Sequence, residues 1–527
     1  MRHLLTLTAF AAIMPLILSA QEIPTFHADV APIIYNHCTE CHRVGEIGPM
    51  PFTTFEEVAD YAGMIEWVTA SGYMPPWTPD HTYSTLRGER FLTDEELAVL
   101  AEWAAAGAPE GVPSDNPGLP SFPEGSQVGE PDLVLSMPEA YVHSGDMTDQ
   151  YQVFVIPLDL DAPQEIRAIE VRPGNAAIAH HTLIAYTENP AVIAQAMALD
   201  AADPAPGYES FGDYGVPVED FLFGGWVPGS PPSEFPPTIG KVVSPDGVLL
   251  MQMHYGPSPV EESDQTEVNL FFADTPVERE VELFLLEPSM LDEPFYIPAN
   301  TVKTFHAEVE VPVDLSLIGV TPHCHLLGQS WEVYAESEGD TIPLISIPEW
   351  DFNWQGIFTF PSLLHVPAGY TLHAICTYDN TTANPFNPSD PPIPVSWGEF
   401  TEDEMFVMFL QFVPYLPGDE EISLSSPNQH REWTYAKPQL FPLSPNPIRS
   451  GSLVEIGWMS PTDSPLTLEV FDMHGRRVRT IFDRQAMPAG IHKELRVADW
   501  GTGEFLVVLS GSDGGGHRSH RKLVVLP

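Results

Sequence analysis

The stretch VTPHCHLLGQ, Val320–Gln329, sets a cysteine between two histidines. Read as a strand over 320–327, its alternation puts His323 and His325 on one face and Cys324 on the other. Two imidazoles side by side make half a metal site. A thiol pointing away cannot complete a Cys/His zinc site with them. The remaining ligands must then come from other strands, which commits this part of the chain to a sheet fold. The surrounding sequence agrees from 131 to about 420: QVFVIPLDL, AIEVRP, HTLIAYTE, VLLMQMHYG, VNLFFAD, WEVYAES and FVMFLQFVPY are short alternating runs punctuated by Pro and Gly. That is the pattern of antiparallel β-sandwiches. Its length predicts two of them, over 131–290 and 291–420.

Candidate partners for the two histidines are His180 and His181 in AIAHHTLIAY, His254 in LLMQMHYGP and Met405 in TEDEMFVMF. Imidazoles combined with a thioether suit Cu(I)/Cu(II) better than zinc or calcium. Taken singly, each has an ordinary alternative: a histidine bonded to a carbonyl, or a methionine filling a core.

Outward from the β region the texture changes twice. Residues 21–110 carry helical spacing in TTFEEVADYAGMIEWVTA and LTDEELAVLAEWAAAG, the second opened by a capping box, Thr93 with Glu96. Within this segment HCTECH holds Cys38, Cys41 and His42 in C-x-x-C-H spacing. Two thiols so placed can add to the vinyl groups of a haem while the next imidazole takes the iron. A bare C-x-x-C also serves redox or zinc sites, but the adjoining histidine favours haem. Met74, before Pro-Pro-Trp, is the chosen second axial ligand, ahead of Met50 and Met64. Residues 111–130 are a Pro/Gly/Ser-rich linker. A second linker, 421–437, leads to a small β domain over 438–527.

The chain opens with Arg2, His3 and an apolar run that ends in small residues before Gln21. This reads as a signal peptide, 1–20, and predicts export through the periplasm to a secreted or cell-surface location. No other run approaches the length of a membrane span. Residues 1–430 hold 9 Lys+Arg against 64 Asp+Glu, whereas 431–527 hold 12 against 10. So acidic a body argues against nucleic acid or anionic lipid as partner, and the break near 431 marks a boundary. Four cysteines in 527 residues are not a disulfide scaffold.

The order HH, M-H-Y, H-x-H and D-E-M resembles the copper type II, ascorbate-dependent monooxygenases, the peptidylglycine α-hydroxylating and dopamine β-monooxygenase family. EWDFNWQGIFTF, VPAGYTLHAICTYDNTTANPFNP and VSWGEFTEDEM are similar to a bacterial branch of it. The resemblance covers about 131–418. It implies that His180, His181 and His254 hold one copper that relays electrons. It also implies that His323, His325 and Met405 hold a second, catalytic copper where dioxygen meets a substrate C–H bond. Animal members place a cysteine after the ligand methionine; here Phe406 stands there, so Cys376 lacks that partner and its pairing with Cys324 is left open. C-x-x-C-H followed by M-P-P-W resembles class I cytochrome c domains. The tail, with P-N-P, D-x-x-G-R-x-V, GEFLV and a basic K-L-V end, resembles the sorting domains of type IX secretion.

Together these readings lead to a mainly β, multidomain chain: a small all-α cytochrome c domain, two jelly-roll-like sandwiches and an immunoglobulin-like tail. The expected function is an exported copper monooxygenase with two copper ions and a covalent haem c. It would act on a small-molecule or peptide substrate with O2 and an electron donor, haem or ascorbate. The alternative is a haem- and copper-binding redox protein that hydroxylates nothing.

Overall fold

The computed structural model describes residues 23–424, apart from 45, 123–124 and 399, and most of 439–526, excepting 441–442, 444–447, 461–464, 475, 487–489, 498–499 and 512–517. The expected signal peptide, the P-N-P of the tail and most of the linker 421–437 lie outside the described residues. Strand dominates, in several separate sheets.

The N-terminal segment is helical. Its helices are α1 (Ala31–His37), α2 (Phe55–Ala59), α3 (Ala62–Ala70) and α4 (Asp94–Ala105). The capping box at Thr93 forms: Glu96 N–H donates to Thr93 Oγ1 at 3.2 Å, and Thr93 N–H donates to Glu96 Oε2 at 2.9 Å. A second box, Thr54 with Glu57, starts α2. Phe26, Ile34, Val58, Leu100 and Trp103 form the core beneath them. The stretch after α3 straps this domain to the β region. Asp80 N–H donates to Ser346 O at 2.8 Å and Arg87 N–H to Thr359 O at 2.7 Å, while Leu86 is buried in the second sandwich.

The first sandwich sets a six-stranded sheet against a five-stranded one. In the second of these, Val248–Tyr255 runs between Gln150–Pro157 and Ala179–Thr187, antiparallel to both. Its alternation is clean. Leu249, Met251, Met253 and Tyr255 enter the core between the sheets, whereas Val248, Leu250 and His254 point to the other face. One end of that other face is covered by a helix, Pro190–Ala202, which the strand-rich sequence reading did not anticipate. Asn189 caps it, accepting from Ala191 N–H at 3.1 Å, and Pro190 takes its first turn.

The second sandwich pairs two four-stranded sheets around Phe305, Cys324, Trp331, Cys376, Tyr378, Phe406 and Met408. The strand Glu282–Leu286, which precedes the expected boundary at 290, belongs here: it pairs with Val407–Pro414. The two sandwiches meet through faces that point away from their cores. Phe221 lies 6.5 Å from Phe409 and Phe211 4.4 Å from Phe400, ring centre to ring centre. In the tail, a three-stranded and a five-stranded sheet enclose a core of their own, with Val454, Ile456, Leu468, Val507 and Leu523.

Candidate metal centres

His254 and His181 are register partners on adjacent strands, facing the second sandwich. His180 should point the opposite way, because consecutive strand residues alternate. The ladder slips at this point: His254 pairs with His181, but Tyr255 pairs with Ala179. His180 is the extra residue of a β-bulge, and the bulge brings a second consecutive imidazole to the same side. The result is a three-histidine cluster. Nδ1 of His181 lies 3.3 Å from Nδ1 of His180 and 3.3 Å from Nδ1 of His254. Such atoms, all within 4.8 Å of one another, can hold a metal ion.

The surroundings fix those rings. Nε2 of His254 donates to Asp149 Oδ1 at 2.8 Å, which leaves Nδ1 as its lone-pair atom. Tyr151 stacks on the His254 ring at 4.2 Å. Burial first, then the neighbouring His254, pushes the His180 pKa down to about 4. Burial also holds His181 well below the usual histidine range, helped by His254, His180, His323 and His325. Neutral imidazoles with free lone pairs are what a metal needs.

Across the interface, Leu315–His323 ends at His323, whose partner on Val407–Pro414 is Val407. The strand is shorter than the sequence reading assumed: His325 lies beyond its end, in a turn. Its position comes from Glu404 instead. This fully buried carboxylate accepts from His325 N–H at 2.9 Å, Leu327 N–H at 2.7 Å and Met405 N–H at 3.1 Å. Burial outweighs these donors and pushes its pKa up to about 8. The same carboxylate thus ties Met405 to the His325 turn, two residues before the register partner of His323. Nδ1 of His323 contacts Gln355 Oε1 at 2.5 Å, and Nδ1 of His325 contacts Asp403 O at 3.3 Å. The His323 ring therefore keeps Nε2 as its lone-pair atom, and the His325 ring is held by the Asp403 and Phe400 carbonyls. Burial lowers the pKa of His323, and burial with His323 nearby pushes His325 down to about 3.

Cys324 points away from the two histidines, as alternation expects, and is buried in the sandwich core. Its Sγ accepts from Trp331 Nε1 at 3.2 Å and lies 4.0 Å from Cys376 Sγ. Phe352 joins the two histidine sets, 6.1 Å from the His180 ring and 5.9 Å from the His325 ring. The two imidazoles are therefore at most about 12 Å apart, the sum of those separations.

In the helical domain, Cys41 and His42 N–H both donate to Cys38 O, at 3.1 and 2.9 Å, which gathers the three side chains on one turn. Nδ1 of His42 bonds Met50 O at 3.0 Å, leaving Nε2 free, and the ring stacks on Phe52 at 4.6 Å. Burial pushes the Cys38 thiol up to about 12 and raises Cys41 as well. These features fit a covalently held haem with an imidazole ligand. Met74 follows α3, its N–H bonded to Val68 O at 3.0 Å, beside Tyr73, which packs 6.2 Å from Trp354 of the second sandwich.

Asp149, Tyr151, Phe352, Gln355 and Glu404 carry no signal as single letters. Three of them, however, lie inside EWDFNWQGIFTF and VSWGEFTEDEM, so those stretches support the ligands, and the second also carries Met405.

No known family profile and no curated protein matches the chain. Among solved structures, Faecalibacterium prausnitzii beta-glucuronidase is 11% identical over 44% of this chain and 37% of its own, with a TM-score of 0.12. The infectious bursal disease virus VP2 subviral particle is 10% identical over 57% of this chain and 76% of its own, at 0.16. Likenesses so slight carry no argument about fold or function.

Proposed function

We propose that the chain is an exported copper monooxygenase that hydroxylates a C–H bond of an organic substrate with O2, supplied with electrons through a fused haem c. The observation that carries this reading is the pair of imidazole sets facing each other. Three Nδ1 atoms converge on one side of the sandwich interface, and on the other the His323 and His325 rings lie 5.2 Å apart, each held through its Nδ1, with the Met405 backbone tied to the same segment by Glu404. Two separate centres suit a reaction that consumes two electrons, delivered singly. Bound copper would supply one-electron steps and an O2-binding position, and bound haem a one-electron reservoir.

The chain's own residues do the rest. Asp149 and Tyr151 hold the His254 ring, Gln355 and the Asp403 carbonyl hold His323 and His325, and Glu404 sets the backbone on which His325 and Met405 sit. Lowered pKa values keep His180, His181, His323 and His325 neutral, so protons do not compete for them at ordinary pH. Phe352 sets an apolar ring against a histidine of each set. The strap around Asp80–Arg87 fixes the helical domain against the second sandwich, which would give a reductant a defined seat.

The test begins with metal content. Haem-loaded protein should hold two coppers, with one lost in H180A/H181A and the other in H323A. With reduced protein, O2 uptake should accelerate over a panel of small organics and peptides, and labelled dioxygen should appear in the product. Absence of bound copper would end the proposal. Copper binding without any accelerated uptake would favour the redox-carrier alternative. The tail is proposed as the address for type IX secretion; retention of a protein lacking 438–527 inside the cell would support that, and its normal export would refute it.

A further inference from the structure

A second histidine cluster lies on the outward face of the far sheet of the second sandwich, away from the interface just described. Thr301–Glu310 and Thr371–Asn380 run antiparallel there, with Glu308 opposite His373 and Ile375 opposite His306. Alternation sends Phe305, Ala307, Ala374 and Cys376 into the core and leaves His306, Glu308 and His373 outside. Nε2 of His306 lies 2.8 Å from Nδ1 of His373, and the ligand atoms of all three residues fall within 4.8 Å of one another. Tyr334, on the next strand, stacks on the His373 ring at 4.8 Å and restricts its rotation.

We propose that His306, Glu308 and His373 form a binding site for a divalent borderline metal ion, zinc or copper, distinct from the interface centres. Two imidazoles and one carboxylate are a complete protein donor set for a four-coordinate ion whose fourth position is water. The geometry needs little adjustment. Two nitrogens already in hydrogen-bond contact are near the spacing they take as neighbours around one ion at about 2.0–2.1 Å. The bridging proton is accommodated by tautomer exchange: it moves to Nδ1 of His306 when Nε2 binds the ion, so neutral imidazoles need release none. Calcium and magnesium are disfavoured by the nitrogen donors. The charge around the site is right for a cation. Glu308 and Glu336 both act on His373, and the body of the chain is strongly acidic. Bound here, an ion would cross-link two strands whose pairing runs directly over the Phe305–Cys376 core contact.

The test uses the full haem-loaded chain freed of other metals and titrated with Zn2+. The parent should bind one equivalent that H306Q/H373Q lacks and that H180A/H181A retains, which separates this site from the proposed copper centres. Glu308→Gln, a change on an exposed side chain, should weaken that equivalent at least tenfold and serves if the double variant folds poorly. Zinc should also raise the melting temperature of the parent more than that of either variant. Repeating the titration with Cu2+ identifies the preferred ion: displacement of zinc from this equivalent assigns copper, retention assigns zinc, and both support the site. Equal stoichiometry and equal thermal shift in parent and H306Q/H373Q would overturn the proposal.

Discussion

Asp149 receives the Nε2–H of His254 at 2.8 Å, and so decides which nitrogen of that ring faces His180 and His181. The bond also pulls the carboxyl of Asp149 below its ordinary range. Partners of this type orient ligand histidines and raise their basicity; removing one typically costs 10- to 100-fold in metal affinity. Asp149→Ala should therefore weaken copper binding at the three-histidine centre by that order while leaving the His323 centre loaded. Competitive titration with a chromophoric chelator reads both. Equal loss at the two centres would show that Asp149 acts on global structure instead.

How much of this was legible in the sequence depends on which interaction does the placing. Alternation predicted that Cys324 faces away from the two histidines, and the S/T-x-x-E pattern predicted Thr93 as a cap, because each follows from local spacing. Alternation could not place His180 and His181 together, since strict alternation separates neighbours and only the bulge opposite His254 reunites them. Nor could it find Asp149, which is 105 residues from His254 and meets it solely through the Gln150–Pro157 strand pairing. The helix Pro190–Ala202 escaped notice for a related reason. It is one exposed helix set among strands, and its contact with Val153, Ala185 and Leu250 is tertiary.

Glu404 offers a sharper test of the second centre. Its two oxygens accept three backbone N–H groups from the very segment that carries His325 and Met405. Replacement by Gln keeps the size but turns one acceptor into a donor, which would face N–H groups. An unsatisfied buried group of this kind costs about 1–3 kcal/mol. Above pH 8, where Glu404 is ionised and both oxygens accept, Glu404→Gln should lower the stability of the second sandwich by that amount and reduce copper at the His323 centre only. Denaturant unfolding with metal analysis of the folded fraction checks it.

Gly48 marks a close approach in the helical domain. A methyl at this position would come within 2.6 Å of Cys41 O and 2.7 Å of His42 Nδ1, and the Gly48 N–H itself donates to Cys41 O at 2.8 Å. Backbone cannot yield as a long side chain would, so overpacking here costs roughly 1–3 kcal/mol. The displaced loop would also carry Met50 O away from His42. Gly48→Ala should leave haem attachment through Cys38 and Cys41 intact and disturb the imidazole ligation. A pigmented protein with altered absorption bands is the expected result, and an unchanged spectrum with unchanged melting would refute it.

The junction of the two sandwiches rests on a buried ion pair with a definite pH signature. Arg279 donates to Asp419 through both arms, Nη1–Oδ2 at 2.6 Å and Nη2–Oδ1 at 2.9 Å, and Ser316 Oγ adds a third bond at 2.6 Å. Burial alone would raise the Asp419 pKa, yet Arg279, Ser316 and Leu416 N–H together hold it below its ordinary value. A carboxyl lowered in the folded state contributes stability above the unfolded pKa, near 4, and loses it as pH falls through the folded value. Arg279→Met leaves that carboxylate buried without its cation, which costs about 3–5 kcal/mol at neutral pH. Protonation removes the stranded charge, so the gap between parent and variant should narrow as pH falls from 5 to 3. Urea unfolding across that range is the measurement. A gap that stays constant would mean Arg279 contributes by packing alone, and a gap that widens would reverse the sign of the argument.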